Sequence, residues 1–259
     1  MIGLLARILT AAVGIPAIVL AVQIGGLPFL LLVELLSLVG LSEYYRLTRV
    51  PVCLQVWGFA AGALLLIGVF QGAPGWAVGG AFFLGALLII LVVSFPRLSF
   101  EQAGSAVLGV LYVSFLFSYL LRLEALPAGR NYTLLAFVLT WVSDSLAFLV
   151  GSRWGRRKLA PRLSPRKTWE GAAAGVAGST LVLLAVHTWF GLSAGMAIAL
   201  GIVAGVAAEA GDLAESALKR FAQVKDSGTI LPGHGGILDR FDALLLVAPV
   251  VYVWFRLWR

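Results

Sequence analysis

Apolar residues in this chain do not alternate with polar ones. They run in blocks of about twenty, broken by short Gly/Pro turns such as GGLP at 25–28 and QGAPG at 71–75. A block of that length crosses roughly 30 Å of hydrocarbon as a helix. Nine such spans are expected, at about 5–24, 28–47, 54–71, 76–94, 102–123, 132–151, 170–190, 194–221 and 238–258. Pro16 inside the first is tolerable in a membrane helix. Ten-residue stretches of strict alternation, the mark of a membrane barrel, are absent. The pattern predicts an all-α, polytopic integral membrane protein. Polar positions crowd into the C-terminal half, in one stretch near 152–169 and another at 209–242.

Composition agrees. Of 259 residues, 61% are hydrophobic and 12% charged, with a mean hydropathy of +1.00; soluble domains carry about 25% charged residues. The longest polar stretch, about 151–169, is too short to bury a core of its own. A net charge of +7 does not call for nucleic acid here, because basic residues of membrane proteins collect on the cytoplasmic side and near anionic headgroups. Loops after even-numbered spans carry Arg46 and Arg49, then Arg97, then seven Lys/Arg between 152 and 167, then Lys219, Arg220 and Lys225. Loops after odd-numbered spans carry mainly Arg122 and Arg130. The N-terminus and both polar stretches are therefore expected in the cytoplasm. Arg7 precedes an apolar run as in a signal peptide, but no small-residue cleavage site follows, so a retained first span is expected. With the single Cys53 there is no intramolecular disulfide to read.

Residues 209–242, EAGDLAESALKRFAQVKDSGTILPGHGGILDRFD, hold six acidic and four basic side chains. From Glu209 to about Phe221 the stretch reads as helix, with Glu209, Asp212, Ser216 and Lys219 three or four apart and so on one face. DSGTILPGHGG must be a loop. A helix then restarts with Asp239 and Asp242 at i, i+3. Carboxylates at two helix ends, beside Lys219, Arg220, Lys225 and Arg240, suit phosphate with a divalent cation. Mg²⁺ takes one or two carboxylates and completes its shell with water and phosphate oxygens. The backbone N–H groups of Gly235 and Gly236 would hold remaining phosphate charge. A solvated interhelical loop is the plainer alternative, but such charge beside membrane spans is expensive unless used.

A second constellation closes the sixth span, in WVSDSLAFLVGSRWGRRKLAPRLSPRKTWEG. Asp144 lies within an apolar helix, where a carboxylate either serves function or fixes packing. Arg153, Arg156, Arg157, Lys158, Arg162, Arg166 and Lys167 follow. Arginine forks phosphate and lysine acts as a point charge. The next helix starts either at Pro165 with Ser164 as its cap, or at Trp169 with Thr168 as its cap.

The run Ser216-Ala-Leu-Lys219-Arg220, then Lys225-Asp226, then Leu231-Pro232-Gly-His234-Gly235-Gly236-Ile237-Leu-Asp239-Arg240-Phe241-Asp242 resembles the signature of the phosphatidate cytidylyltransferases (CDP-diacylglycerol synthases), over 27 residues. Asp144, Ser145, Ala147, Gly151, Gly155 and Ser164-Pro165-x-Lys167-Thr168-x-Glu170-Gly171 resemble a second block of bacterial members. The resemblance implies transfer of a cytidylyl group from CTP to phosphatidate, giving CDP-diacylglycerol and pyrophosphate in phospholipid biosynthesis. It implies Mg²⁺ held by Asp212 and Asp239 with Asp242 assisting, and it admits a second, monovalent cation such as K⁺. Lys219 and Lys225 would join Asp212 and Asp239 as catalytic groups. Asp144, Lys167, Ser216, Arg220, His234, Gly235, Gly236 and Arg240 would bind substrate. On this reading residues 1–131 supply N-terminal transmembrane helices. Residues 132–259 form the catalytic region, with a basic loop at 152–169 and the signature loop at 216–242. The site would face the cytoplasmic side of the plasma (inner) membrane, open to membrane lipid.

Other features weigh less. Glu34 sits inside the second span, and His187 beside Trp189 reads as interfacial. Gly171, Gly175 and Gly178 offer one small-residue side of the seventh span for close helix packing or a homodimer contact. Two rival functions use the same charges: a CTP-dependent polyprenol or phytol kinase, and a transporter of anionic metabolites.

Overall fold

The structure is a computed structural model, which describes residues 2–72, 76–228, 230 and 235–258, with side chains omitted for 2–11 and 76–78. The expected phosphate-loop residue His234 lies outside the described residues, as do Leu231 and Pro232 beside it. The apolar blocks are helices. In chain order they are α1 (Ile2–Ile24), α2 (Gly26–Thr48), α3 (Val52–Phe70), α4 (Trp76–Val93), α5 (Phe100–Glu124), α6 (Gly129–Trp154), α7 (Trp169–Val186), α8 (Ala194–Phe221) and α9 (Leu238–Leu257). Among the described residues, α2, α3, α5, α6, α7 and α8 are long and apolar enough to cross a membrane. The chain is thus an all-α, multi-pass membrane protein. A small addition interrupts the basic loop: strands β1 (Lys158–Ala160) and β2 (Ser164–Thr168) pair antiparallel, Lys158 opposite Thr168 and Ala160 opposite Ser164.

Backbone contacts divide the chain into two compact units. The first comprises Met1–Arg130 together with Asp226–Arg240. Its core is centred on Tyr45, fully buried, whose hydroxyl donates to the Ala106 carbonyl at 3.1 Å and whose ring meets Phe59 edge-on at 5.6 Å. A π segment at Val110–Phe115 interrupts α5 and presents Ser114 to Ser37, with hydroxyl oxygens 2.8 Å apart and buried. Within a membrane such hydroxyls must pair with each other or with backbone. At the other end of the unit, the Gly26 amide donates to Glu124 at 2.6 Å, and Arg130 donates to the Ile24 carbonyl at 3.0 Å. These contacts hold the α1–α2 turn against the end of α5.

The second unit comprises Asn131–Lys225 and Phe241–Arg259. Tyr132 and Phe255 stack at 4.0 Å with Phe190 beside both, joining α6, the turn after α7 and α9. The helix after the hairpin begins at Trp169, capped by the Thr168 hydroxyl, which accepts from the Gly171 amide at 3.2 Å. Of the two starts the sequence offers, this one holds, because Ser164 and Pro165 are committed to β2. The small-residue side of α7 packs inside the unit: Gly175 faces Ser143, and Gly178 faces Leu146 and Val142, all on α6.

Helices α7 and α8 pack most closely. A methyl group placed on Gly205 would lie 2.6 Å from the Val176 Cα, closer than side-chain atoms can come. Gly205→Ala therefore sets a helix-propensity gain of about 1 kcal/mol against overpacking of about 1–3 kcal/mol. Backbone is the obstacle and cannot swing away, so overpacking wins. The variant in detergent should melt several degrees below the parent; an unchanged or higher melting midpoint would show that the two helices separate at little cost.

Candidate active site

In the second unit, the hairpin and three helices bring the expected charges together. Strand β2 carries Lys167 inward, while Arg166 beside it is exposed. The Lys167 ammonium lies 2.6 Å from Glu209 Oε2 and 2.8 Å from Asp212 Oδ2. Glu209 and Asp212 are three apart on α8 and so face the same way. Burial alone would push the Lys167 ammonium down, but the Asp212 and Glu209 carboxylates more than offset it and hold its pKa above the ordinary value of 10.5. One turn further along α8, the Ser216 hydroxyl donates to Asp212 Oδ1 at 3.4 Å. Lys219 forms an ion pair with Glu215, which is fully buried. That pair holds Lys219 along the helix rather than leaving it in water.

Asp242, on the first turns of α9, is buried and accepts from the Ala243 amide at 2.8 Å. Asp212 and Asp144 act on it as like charges, opposed by Lys219. The helix α8 backbone approaches it closely at Gly211, where any side chain would strike the Asp242 carbonyl. Arg220 is exposed at the end of α8, and its Nε donates to the Leu163 carbonyl at 3.0 Å, so it ties the hairpin turn to that helix. Glu170 receives the Arg156 and Arg157 amides at 3.1–3.2 Å and secures the other side of the hairpin. Lys225 is exposed.

The first unit contains the rest of the signature. Asp239 Oδ2 accepts from the Ser227 amide at 2.8 Å, the Ser227 hydroxyl at 2.9 Å and the Gly236 amide at 2.8 Å. Gly235 has φ of 81°, the left-handed region that glycine enters without strain. Arg240 follows on α9 and donates its amide to the Ile237 carbonyl at 3.0 Å. Sequence reasoning missed the residue on which this loop closes. Glu43, near the end of α2, is 1% exposed and accepts from the Ile237 amide at 3.0 Å, the Leu238 amide at 2.9 Å and the Ser227 hydroxyl at 3.1 Å. Arg46, one turn on, donates to the Ser227 carbonyl. The available signal was Glu43 and Arg46 themselves, an acid and a base at i, i+3 where an apolar span ends.

Among the described residues no three Asp, Glu, His or Cys side chains converge to the spacing of one shared ion. The donor set nevertheless suits a hard divalent cation: carboxylate oxygens only, with buried Asp242 in the field of Asp212 and Asp144.

The sequence profile of the cytidylyltransferase family matches residues 5–258, and the chain belongs to that family. Among its relatives, the phosphatidate cytidylyltransferase of Bacillus subtilis (strain 168) is 34% identical over 267 residues, covering 97% of each chain. Those of Staphylococcus haemolyticus (strain JCSC1435) and Staphylococcus aureus (strain COL), with the same name, are each 34% identical over 95% of this chain and 97% of theirs. The resemblance read from residues 140–242 thus extends over nearly the whole chain.

The raised Lys167 pKa has a direct consequence for pH. A lysine held above its ordinary value stabilises the fold fully below about 10.5 and loses that contribution only as pH rises through the higher folded value. Lys167 should contribute no titration to activity or stability between about pH 6 and 9. Lys167→Met should leave two carboxylates facing each other, lowering the melting midpoint and turnover by at least tenfold. The stability loss should fall below the 3–5 kcal/mol or so typical of a fully enclosed broken pair, because Asp212 keeps 34% of its side chain exposed. Parent-like turnover in Lys167→Met would remove the pair from the site.

Proposed function

We propose that this chain transfers the cytidylyl group of CTP to phosphatidate, giving CDP-diacylglycerol and pyrophosphate. A phosphatidate phosphate oxygen forms the new bond to the α-phosphorus of CTP. The bond from that phosphorus to the bridging oxygen breaks, and pyrophosphate leaves with the electron pair. No side chain need become covalently attached, so the chain's task is positioning and charge stabilisation. The observation that carries this reading is the gathering of Lys167, Lys219, Asp144, Asp212 and Asp242 in one unit of a chain of this family.

Lys167 and Lys219 offset phosphate charge beside the carboxylates, while Lys225, Arg220 and Arg240 serve the outer phosphates. Ser216 holds Asp212 in one orientation through its hydroxyl. Asp212, Asp239 and Asp242 are the proposed Mg²⁺ ligands. When bound, Mg²⁺ supplies a Lewis acid for the phosphate oxygens, and a monovalent cation such as K⁺ is compatible with the same oxygen-rich surroundings. His234, Gly235 and Gly236 complete the phosphate contacts, and Asp144 helps fix the site from α6. We place the site on the cytoplasmic side of the plasma membrane, where the basic residues of the hairpin meet anionic headgroups.

The detergent-solubilised protein, given phosphatidate, Mg²⁺ and CTP labelled in its α-phosphate, should place label in a lipid and release pyrophosphate. Label that stays in water-soluble CDP, while a γ-label enters a prenol, would replace this reading with a kinase. Asp212→Asn and Asp239→Asn should each lower turnover by at least a hundredfold, since a clamp on a transferring phosphoryl group contributes several kcal/mol. Turnover within a few-fold of the parent in either variant would remove that residue from the metal set.

A further inference from the structure

Glu43 has no role in the transfer described above, yet it is among the most deeply buried charged residues of the chain. Its two oxygens divide the work. Oε1 takes the Ile237 amide, and Oε2 takes the Leu238 amide and the Ser227 hydroxyl. The first amides of a helix have no partner within it, so Glu43 caps α9 from a helix nearly two hundred residues away in sequence. Ser227 Oγ lies 3.1 Å from Glu43 Oε2 and 2.9 Å from Asp239 Oδ2, so a single hydroxyl, with one proton to share, links the two carboxylates. Arg46 fixes the Ser227 carbonyl. The backbone wraps the carboxylate closely: a methyl on Gly236 would lie 2.5 Å from both Glu43 oxygens, and one on Gly228 would also strike it.

We propose that Glu43 is a positioning residue for the reaction, setting the place of Asp239 by clamping both flanks of the signature loop, at Ser227 and at Ile237–Leu238. This rests on the assignment of Asp239 to the metal set. Asp239 is placed by donors whose own positions Glu43 fixes. It receives three hydrogen bonds on one oxygen, two of them from Ser227 and one from the Gly236 amide. Without Glu43, the Ile237 and Leu238 amides are left buried and unsatisfied, and Ser227 and Gly236 lose the carboxylate they pack around. The Asp239 carboxylate then shifts with its donors. A misplacement of about 1 Å in a catalytic group lowers rate on the order of a hundredfold.

Glu43→Gln keeps the volume but turns one acceptor into an NH₂ donor that faces amide donors. Hydrogen exchange on the full-length protein, without Mg²⁺ or nucleotide, should show the Ile237 and Leu238 amides exchanging at least tenfold faster than in the parent. Added Mg²⁺ should slow exchange at Asp239 and Arg240 in both proteins, with the variant needing at least several-fold more. In the transfer assay, kcat should fall tenfold to a hundredfold, with the KM for CTP changed less. Ser227→Ala, which removes only the linking hydroxyl, should shift each readout in the same direction by a smaller factor, and it stands in should Glu43→Gln not fold. Faster exchange with parent-like kcat and Mg²⁺ requirement would reduce Glu43 to a structural cap and overturn the proposal, as would unchanged exchange. A parent that transfers no cytidylyl group would sink the functional reading instead, and the Mg²⁺ dependence of exchange would then decide the clamp.

Discussion

Charge inside a hydrocarbon-built chain survives only where its partners are fixed, and here that constraint acts through buried carboxylates. Glu43, Glu215 and Asp242 are each at most 9% exposed. Each has a different kind of partner: backbone amides and a hydroxyl for Glu43, a lysine one turn away for Glu215, and for Asp242 the Ala243 amide and Lys219, set against the like charges of Asp212 and Asp144. An unpaired carboxylate in such surroundings is costly enough that it would protonate or disrupt the packing. The helices can therefore be ordinary apolar rods, and the specificity of the fold lies in where a few acids meet their donors.

Some of the charge pairings follow from local geometry and others do not. Glu209 and Asp212 share a face of α8 because of the helical period, and Lys219 reaches Glu215 at i, i+4 for the same reason. Those relations were legible in the sequence, as were the end of α8 at Phe221 and the restart of helix before Asp239. The helices themselves were legible because apolar blocks leave little choice of structure in a bilayer. Glu43 was not, since its partners lie 184, 194 and 195 residues away and two of the three are backbone amides, which carry no residue identity. The hairpin also escaped notice. Strands of three and five residues, Lys-Leu-Ala and Ser-Pro-Arg-Lys-Thr, are too short and too charged to show a period of two, and only the fold pairs them. Thr168 as the cap of α7 was one of two readings, and it was strand pairing that chose between them.

The candidate site is likewise part legible and part not. The residue types and their spacing pointed to phosphate, metal and the family. They did not reveal that Arg220 commits its Nε to the Leu163 carbonyl, or that Glu209 shares Lys167 with Asp212. Both depend on β2 lying beside α8, a relation between segments more than forty residues apart.

That hairpin also limits how the chain can drift over evolutionary time. Successive residues of a strand point to opposite sides, and within β2 Arg166 is left exposed while Lys167 next to it reaches Glu209 and Asp212. Its turn is tethered by Arg220 and its flank by Glu170. A loop between two membrane helices ordinarily tolerates gain or loss of a residue. Here a single insertion between Leu163 and Arg166 would shift Arg166 into the place of Lys167 and present a guanidinium where an ammonium now sits between two carboxylates. Length variation in descendants of this chain should therefore be excluded from that short run and gather in the turns elsewhere.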